Sequence, residues 1–114
     1  MIGIIGALDE EVTLICEQLG ACTTLSKARY VFHQGRLGQQ KVTVVKCGVG
    51  KVNAAICTQI LIDIFQCERI IFGGVAGGLL RGLSQGDVVV SSHVVQFDID
   101  LTAFGRRRGE LADK

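Results

Sequence analysis

The hydrophobic positions of this chain follow two periods, and the switch between them marks out its elements. Residues 1–7 are nearly all apolar and rich in Ile, as suits a strand buried on both faces of a parallel sheet. Leu8, Val12, Ile15 and Leu19 then recur at helical spacing, with Asp9, Glu10, Glu11, Glu17 and Gln18 elsewhere, which predicts an amphipathic helix. Gly20 is placed to stop it. Residues 29–35 and 41–47 predict two strands, and residues 36–40 the hairpin loop between them. Gly48-Val49-Gly50 breaks the second of these. Residues 51–65 then read as a helix that is apolar nearly all round, carrying Val52, Ala54, Ile56, Ile60, Leu61, Ile64 and Phe65. Such a helix is either deeply buried or packed against a partner subunit.

Residues 69–72 predict another buried strand, which opens into Gly73-Gly74-Val75-Ala76-Gly77-Gly78. Residues 87–95, rich in Val, predict one more. Residues 97–114 form a polar tail in which Arg106, Arg107 and Arg108 read as a solvated run. The order β-α-β-β-α-β-β predicts an α/β fold, a central twisted mixed sheet flanked by helices. No linker, low-complexity run or repeat divides the chain. The last Val-rich strand has no following helix to cover it, so the sheet reads as unfinished. Residues 1–114 are therefore expected to be the N-terminal part of a single, larger domain.

Composition narrows the classes. With 48% hydrophobic and 20% charged residues in 114, the chain has ample material for a core and is not a disordered one. Twelve Lys and Arg against eleven Asp and Glu leave a net charge of +1, without the electrostatic footprint of a nucleic-acid binder. The first residues lack the positive region of a secretory signal. No apolar run approaches the ~20 residues that span a bilayer. Five cysteines (Cys16, Cys22, Cys47, Cys57, Cys67) make an odd number with no C-x-x-C spacing, which reads as buried reduced thiols in a cytoplasmic protein. His33 and His93 lie near no cysteine pair, so no metal site is expected.

Candidate chemistry lies at the ends of the predicted strands. Gly50-Lys51 is not a phosphate-binding P-loop, since Val45 and Val52 stand where Gly and Ser or Thr are needed. Gly3-x-x-Gly6 is not a dinucleotide fingerprint. The glycines at 73–78 follow a buried strand, and ligand sites of open α/β sheets form at the carboxyl ends of strands. There, glycines let backbone amides approach a ligand. Asp9-Glu10-Glu11 lies just beyond the first strand. Acids in a first helical turn interact favourably with the helix dipole, and a carboxylate at a strand end can also act as a general base. Asp98 and Asp100, two apart, would share one face of an extended segment.

Five blocks in register resemble the bacterial methylthioadenosine/S-adenosylhomocysteine nucleosidases. They are residues 2–12 (IGIIGALDEEV), 47–55 (CGVGKVNAA), 74–79 (GVAGGL), 86–91 (GDVVVS) and 98–105 (DIDLTAFG). The similarity runs from Met1 to about Leu111. It implies a nucleoside phosphorylase/nucleosidase-like fold and hydrolysis of the N-glycosidic bond, releasing adenine without a metal or organic cofactor. It implies Glu11 as the water-activating carboxylate, with Val75, Ala76 and Gly77 as the ribose and purine floor. Leu8 and Val49 match apolar positions on the ribose side. Phe104 matches an aromatic that reaches the alkylthio pocket of the other subunit of a homodimer. Members of that family are about twice this length, and the resemblance puts the purine-protonating acid and the ribose-binding glutamate outside this chain. The isolated chain is accordingly expected to be inactive. Within the same superfamily, a futalosine hydrolase or a nucleoside phosphorylase is the alternative, and Arg29 and Arg81 are the candidate phosphate ligands of the latter. An α/β module that only associates is the alternative of another class.

Overall fold

The computed structural model describes residues 1–111, so residues 112–114 of the polar tail lie outside the described residues. The chain divides into two compact units, Met1–Gly77 and the residues from Gly78 onward. The first unit holds β1 (Ile2–Gly6), α1 (Asp9–Glu17), β2 (Gly20–Lys27), β3 (Tyr30–Leu37), β4 (Gln40–Lys46), α2 (Lys51–Asp63) and β5 (Arg69–Phe72). Its five strands form one mixed sheet in the order β2-β3-β4-β1-β5. β1 runs parallel to both β4 and β5, while β3 is antiparallel to β2 and β4.

Alternation along the strands sends side chains to two cores. Ile2, Ile4, Val42 and Val44 pack with Val12, Ile15 and Leu19 under α1. Ile5, Phe32, Val45 and Cys47 pack with Cys57, Leu61 and Phe65 under α2. The helices thus cover opposite faces of the sheet. Gly3 lies under α2, and a Cβ there would sit 2.9 Å from Leu61 Cδ1, so the missing side chain lets the helix approach the strand. On its other side α2 leaves Val52 and Ile56 exposed. The all-round apolar pattern therefore has one face in the core and one uncovered in this chain.

Several expectations are corrected. Gly20 does not stop α1. The helix ends at Gln18, and Gly20 begins β2, a strand that the pattern of residues 20–27 did not predict. All eight residues of β2 are exposed, and its pairing with β3 is irregular between Gly20 and Thr23. An edge strand with no buried face has no alternation to read. Arg29 belongs to the β2–β3 turn, with Ala28 and Arg29 both at positive φ (47° and 71°) as a two-residue hairpin turn requires. The loop at 36–40 shrinks to Gly38-Gln39, because Leu37 and Gln40 still pair.

In the second unit, residues 87–95 form no strand. Val88, Val90 and Val94 are about nine-tenths exposed. β-branched residues favour extended backbone, but a strand needs a ladder to satisfy its N–H and C=O groups, and no described residue pairs with this segment. Asp100 accepts bonds from the Thr102 hydroxyl (2.6 Å) and backbone N–H (3.1 Å) ahead of a short 3₁₀ turn, Thr102–Phe104. It also takes the Arg108 guanidinium at 2.7 Å, so Arg108 is an ion-pair partner and not merely solvated. The cysteines are all free thiols, but only Cys47, Cys57 and Cys67 are buried; Cys16 is half-buried and Cys22 exposed. Burial pushes the Cys57 thiol up to about 11, which keeps it neutral.

Candidate functional site

The three parallel strands end together. The Cys47 N–H, just past β4, bonds the Gly6 carbonyl at 2.9 Å, and the Gly73 N–H, just past β5, bonds the Ile5 carbonyl at 3.0 Å. β1 is thus flanked at its carboxyl end by two loops. The chain leaves β1 for a helix on one face and β4 for a helix on the other, which makes this end a topological switch point, the usual ligand crevice of such sheets.

Glu11 sits at that point, in the first turn of α1. Its carboxylate reaches back over the helix start. Oε2 accepts the N–H of Ala7 at 2.6 Å and of Leu8 at 3.0 Å. Leu8, extended at φ −115°, is the residue before the helix and has no side-chain oxygen with which to cap it. Glu11 therefore supplies the half of a capping box that binds the cap residue's own N–H. Oε1 turns the other way and accepts the Val75 N–H at 3.3 Å, across 64 residues of sequence.

These bonds set the charge of the group. The N–H groups of Leu8 and Ala7 hold the carboxyl below its ordinary value of 4.5; burial opposes them, and the Val75 N–H adds the smallest lowering effect. Glu11 is an anion at neutral pH. A carboxylate offers roughly four lone-pair positions, and three are filled, which leaves a position on Oε1 beside Val75 for one donor. A water bound there would have an oxygen lone pair aimed by the protein.

Two glycines make room for this. A Cβ on Gly74 would lie 2.8 Å from Glu11 Oε1, and one on Gly6 would lie 2.7 Å from Val12 Cγ1 and 3.0 Å from Glu11 Cβ. The sequence marks Gly74 only as part of the 73–78 glycine cluster, and does not mark Gly6 and Ala7 as site residues. Their signal, a small residue beside a carboxylate, is a three-dimensional one. Of the expected site residues, Leu8 and Val75 meet Glu11. Ala76 and Gly77 follow Val75 along the same exposed loop, and no atom lies within 4 Å of where a Gly77 Cβ would be. Val49 stands in the loop after β4, 73% exposed. Phe104 belongs to the second unit, in its 3₁₀ turn, and is also exposed. Arg29 and Arg81 lie in turns, Arg81 in the second unit.

A cleft of about 810 Å³ runs between α1 and β3, past Cys16, Glu17, Arg29 and His33. Glu11 does not line it. The cleft reaches Cys47 and Gly48 beside the strand ends, and its Lys46 is paired with Asp9 at 2.8 Å, so it is a groove of mixed charge. Among the described residues no helix is long and apolar enough to cross a membrane.

The Gly74→Ala variant is expected to separate the Glu11 carboxylate from the Val75 N–H. The Val75 amide proton should then shift upfield in NMR spectra, with only a slight rise in the carboxyl titration, since the Leu8 and Ala7 N–H groups still hold it; an unmoved Val75 amide would show that the bond survives the added methyl.

Comparison with known proteins fits this geometry. The family model of the phosphorylase superfamily matches residues 1–113. The chain belongs to that superfamily. Within the superfamily it is similar to the 5'-methylthioadenosine/S-adenosylhomocysteine nucleosidase of an Exiguobacterium species, 46% identical over 110 residues that make up 96% of this chain and 47% of the relative. The crystal structure of the Colwellia psychrerythraea nucleosidase in complex with adenine superposes with a TM-score of 0.95 at 47% identity, over 97% of this chain and 46% of that one. The futalosine hydrolase of Helicobacter pylori superposes with a TM-score of 0.91 at 34% identity, over 99% of this chain and 49% of that one. The chain thus spans about half the length of the superfamily relatives it matches.

Proposed function

We propose that this chain is the N-terminal part of a single nucleosidase domain, and that the whole protein hydrolyses the N-glycosidic bond of methylthioadenosine and S-adenosylhomocysteine to release adenine. The observation that carries the reading is the Glu11 carboxylate, anionic, held by three backbone N–H groups at the switch point, with an accepting position left on Oε1. The similarity to nucleosidases, one of them bound to adenine, supports it.

In this mechanism the C–N bond loosens toward an oxocarbenium-like sugar. Water on Oε1 attacks the anomeric carbon, and Glu11 takes its proton as a general base. The purine leaves with a proton from an acid that the resemblance places beyond this chain. Val75, Ala76 and Gly77 form the substrate floor, and Leu8 and Val49 the ribose side. A floor of small residues and backbone brings amides close to the ligand without a side-chain barrier. No cofactor takes part in this reading. The complete protein is a homodimer, in which the uncovered Val52 and Ile56 face of α2 meets the partner and Phe104 completes the alkylthio pocket of the other subunit. Its compartment is the cytoplasm, in keeping with five free thiols.

The protein at its natural length is expected to release adenine from methylthioadenosine without phosphate, and the 114-residue chain alone to release none. Adenine is measured by its absorbance after separation from the nucleoside. Turnover by the isolated chain at the rate of the whole protein would remove the division of labour; turnover only with phosphate would make the protein a phosphorylase. The likeness to a futalosine hydrolase supports a second reading, and preferential cleavage of futalosine in the same assay would establish it.

A further inference from the structure

Asn53 lies in the first turn of α2, and nothing in the proposed reaction uses it. Its amide is held at both ends. The Tyr30 hydroxyl donates to Asn53 Oδ1 at 2.8 Å, and Asn53 Nδ2 donates to the Val49 carbonyl at 2.7 Å. The two bonds fix each other's sense. A carbonyl can only accept, so Nδ2 must face Val49, which leaves Oδ1 for the tyrosine proton.

The other bonds of the loop it grips fall on the neighbours of Val49: the Gly48 carbonyl accepts from the Cys47 thiol at 3.1 Å and the Gly50 carbonyl from the Ala54 N–H at 3.2 Å. Val49 stands between Gly48 at φ 79° and Gly50 at φ 107°, both in a region where glycine moves freely. Its side chain is 73% exposed, so packing does not fix it. Tyr30, by contrast, is anchored. It opens β3, pairs with Lys27 across the hairpin turn, and packs its side chain against the core under α2. A rigid strand end is thus linked through one amide to the carbonyl of an exposed loop residue.

We propose that Asn53, oriented by Tyr30, is a positioning residue that fixes the Val49 wall of the nucleoside pocket. This rests on the nucleosidase reading for the pocket, though not for the link itself. Asn53→Asp keeps the acceptor for Tyr30 but turns a negative oxygen toward the Val49 carbonyl. Tyr30→Phe removes the hydroxyl that orients the amide, and it guards against a failure of the first variant to fold.

The test has two arms. In the 114-residue chain, the backbone ¹⁵N order parameter of Val49 is expected to fall from the rigid range, about 0.85, to below about 0.6 in Asn53→Asp, with a smaller fall in Tyr30→Phe. In the protein at its natural length, KM for methylthioadenosine is expected to rise about tenfold in Asn53→Asp while kcat stays within about threefold, since a wall that binds ground state and transition state alike affects KM alone. An unchanged Val49 order parameter in both variants overturns the link, whatever reaction the protein performs. A freed Val49 with KM unmoved in an active protein overturns the role in the pocket, as does a fall in kcat with KM unmoved. A wild-type protein that releases no adenine overturns the nucleosidase reading and the pocket role with it, while the order parameter still decides the link.

Discussion

Glu11→Gln is expected to lower kcat of the natural-length protein by a hundredfold to ten-thousandfold, the range over which a general base contributes, with KM changed little. The substitution preserves shape, so it isolates charge and donor sense. An amide oxygen can still accept from Ala7 or Leu8, but the other terminus becomes an NH₂ group. If that group faces Val75, two donors oppose each other where an N–H now meets Oε1 at 3.3 Å. The water position is lost as well, because NH₂ cannot take its proton. A variant retaining kcat within threefold of wild type would remove Glu11 from the chemistry and leave it as a helix cap.

The pH dependence carries a sign. The folded value of Glu11 lies below the ordinary 4.5. Stability from its bonds is therefore complete above the ordinary value, and it is lost as pH falls through the lowered one. The same displacement keeps the base ionised through neutral pH, so no limb of the rate profile above 4.5 should vanish in Glu11→Gln.

Phe32→Ala is expected to lower the stability of the first unit by about 3–5 kcal/mol, the cost of emptying a buried aromatic site. Phe32 is fully buried, at the centre of the core under α2, and its ring centroid lies 4.9 Å from that of Phe65. Removing it leaves Ile5, Val45, Cys57 and Leu61 facing a void that the sheet and helix are too rigid to close. Because domains are typically stable by only about 5–15 kcal/mol, the variant should be close to unfolding at room temperature. Urea unfolding checks this through a lower midpoint at unchanged slope. A loss below about 1 kcal/mol would mean that the core collapses onto the site.

The elements that residue pattern predicts best are those that bury apolar positions in a readable order. α1 and α2 bury one set of positions at helical spacing, while β1 and β4 are near-continuous apolar runs with side chains in both cores. β5 forms where its apolar run predicts, but it is an edge strand and largely exposed in this chain, not buried as expected. β2 buries nothing, and its order is imposed by hydrogen bonds to β3, which no pattern of apolar positions records. The Val-rich segment at 87–95 errs in the other direction. Its composition favours a strand, but pairing is a property of two segments, and this one has no described partner. The site divides in the same way. The acidic triplet 9–11 and the glycine-rich loop after β5 are legible because strand ends are where such chemistry gathers, and the resemblance to the nucleosidases selects Glu11 within the triplet. The contact between Oε1 and Val75 is not, since it depends on β1 and β5 lying side by side. Gly74 is needed because of the carboxylate folded over it, and Gly6 because Val12 and the Glu11 stem close over it.

The placement of β1 has a consequence for how the molecule is made. β1 is an inner strand of the sheet, and both of its neighbours are synthesised much later. Ile2 pairs with Val42, 40 residues on, and with Arg69, 67 residues on. Loop closure of that kind is slow, and the hairpins among β2, β3 and β4 form from nearby residues long before it. At a translation rate of about 5–20 residues per second, the Ile-rich strand waits several seconds without a mate. A nascent chain halted before Arg69 would hold Ile2, Ile4 and Ile5 with at most one of their two ladders, and is the form that a chaperone would be expected to bind.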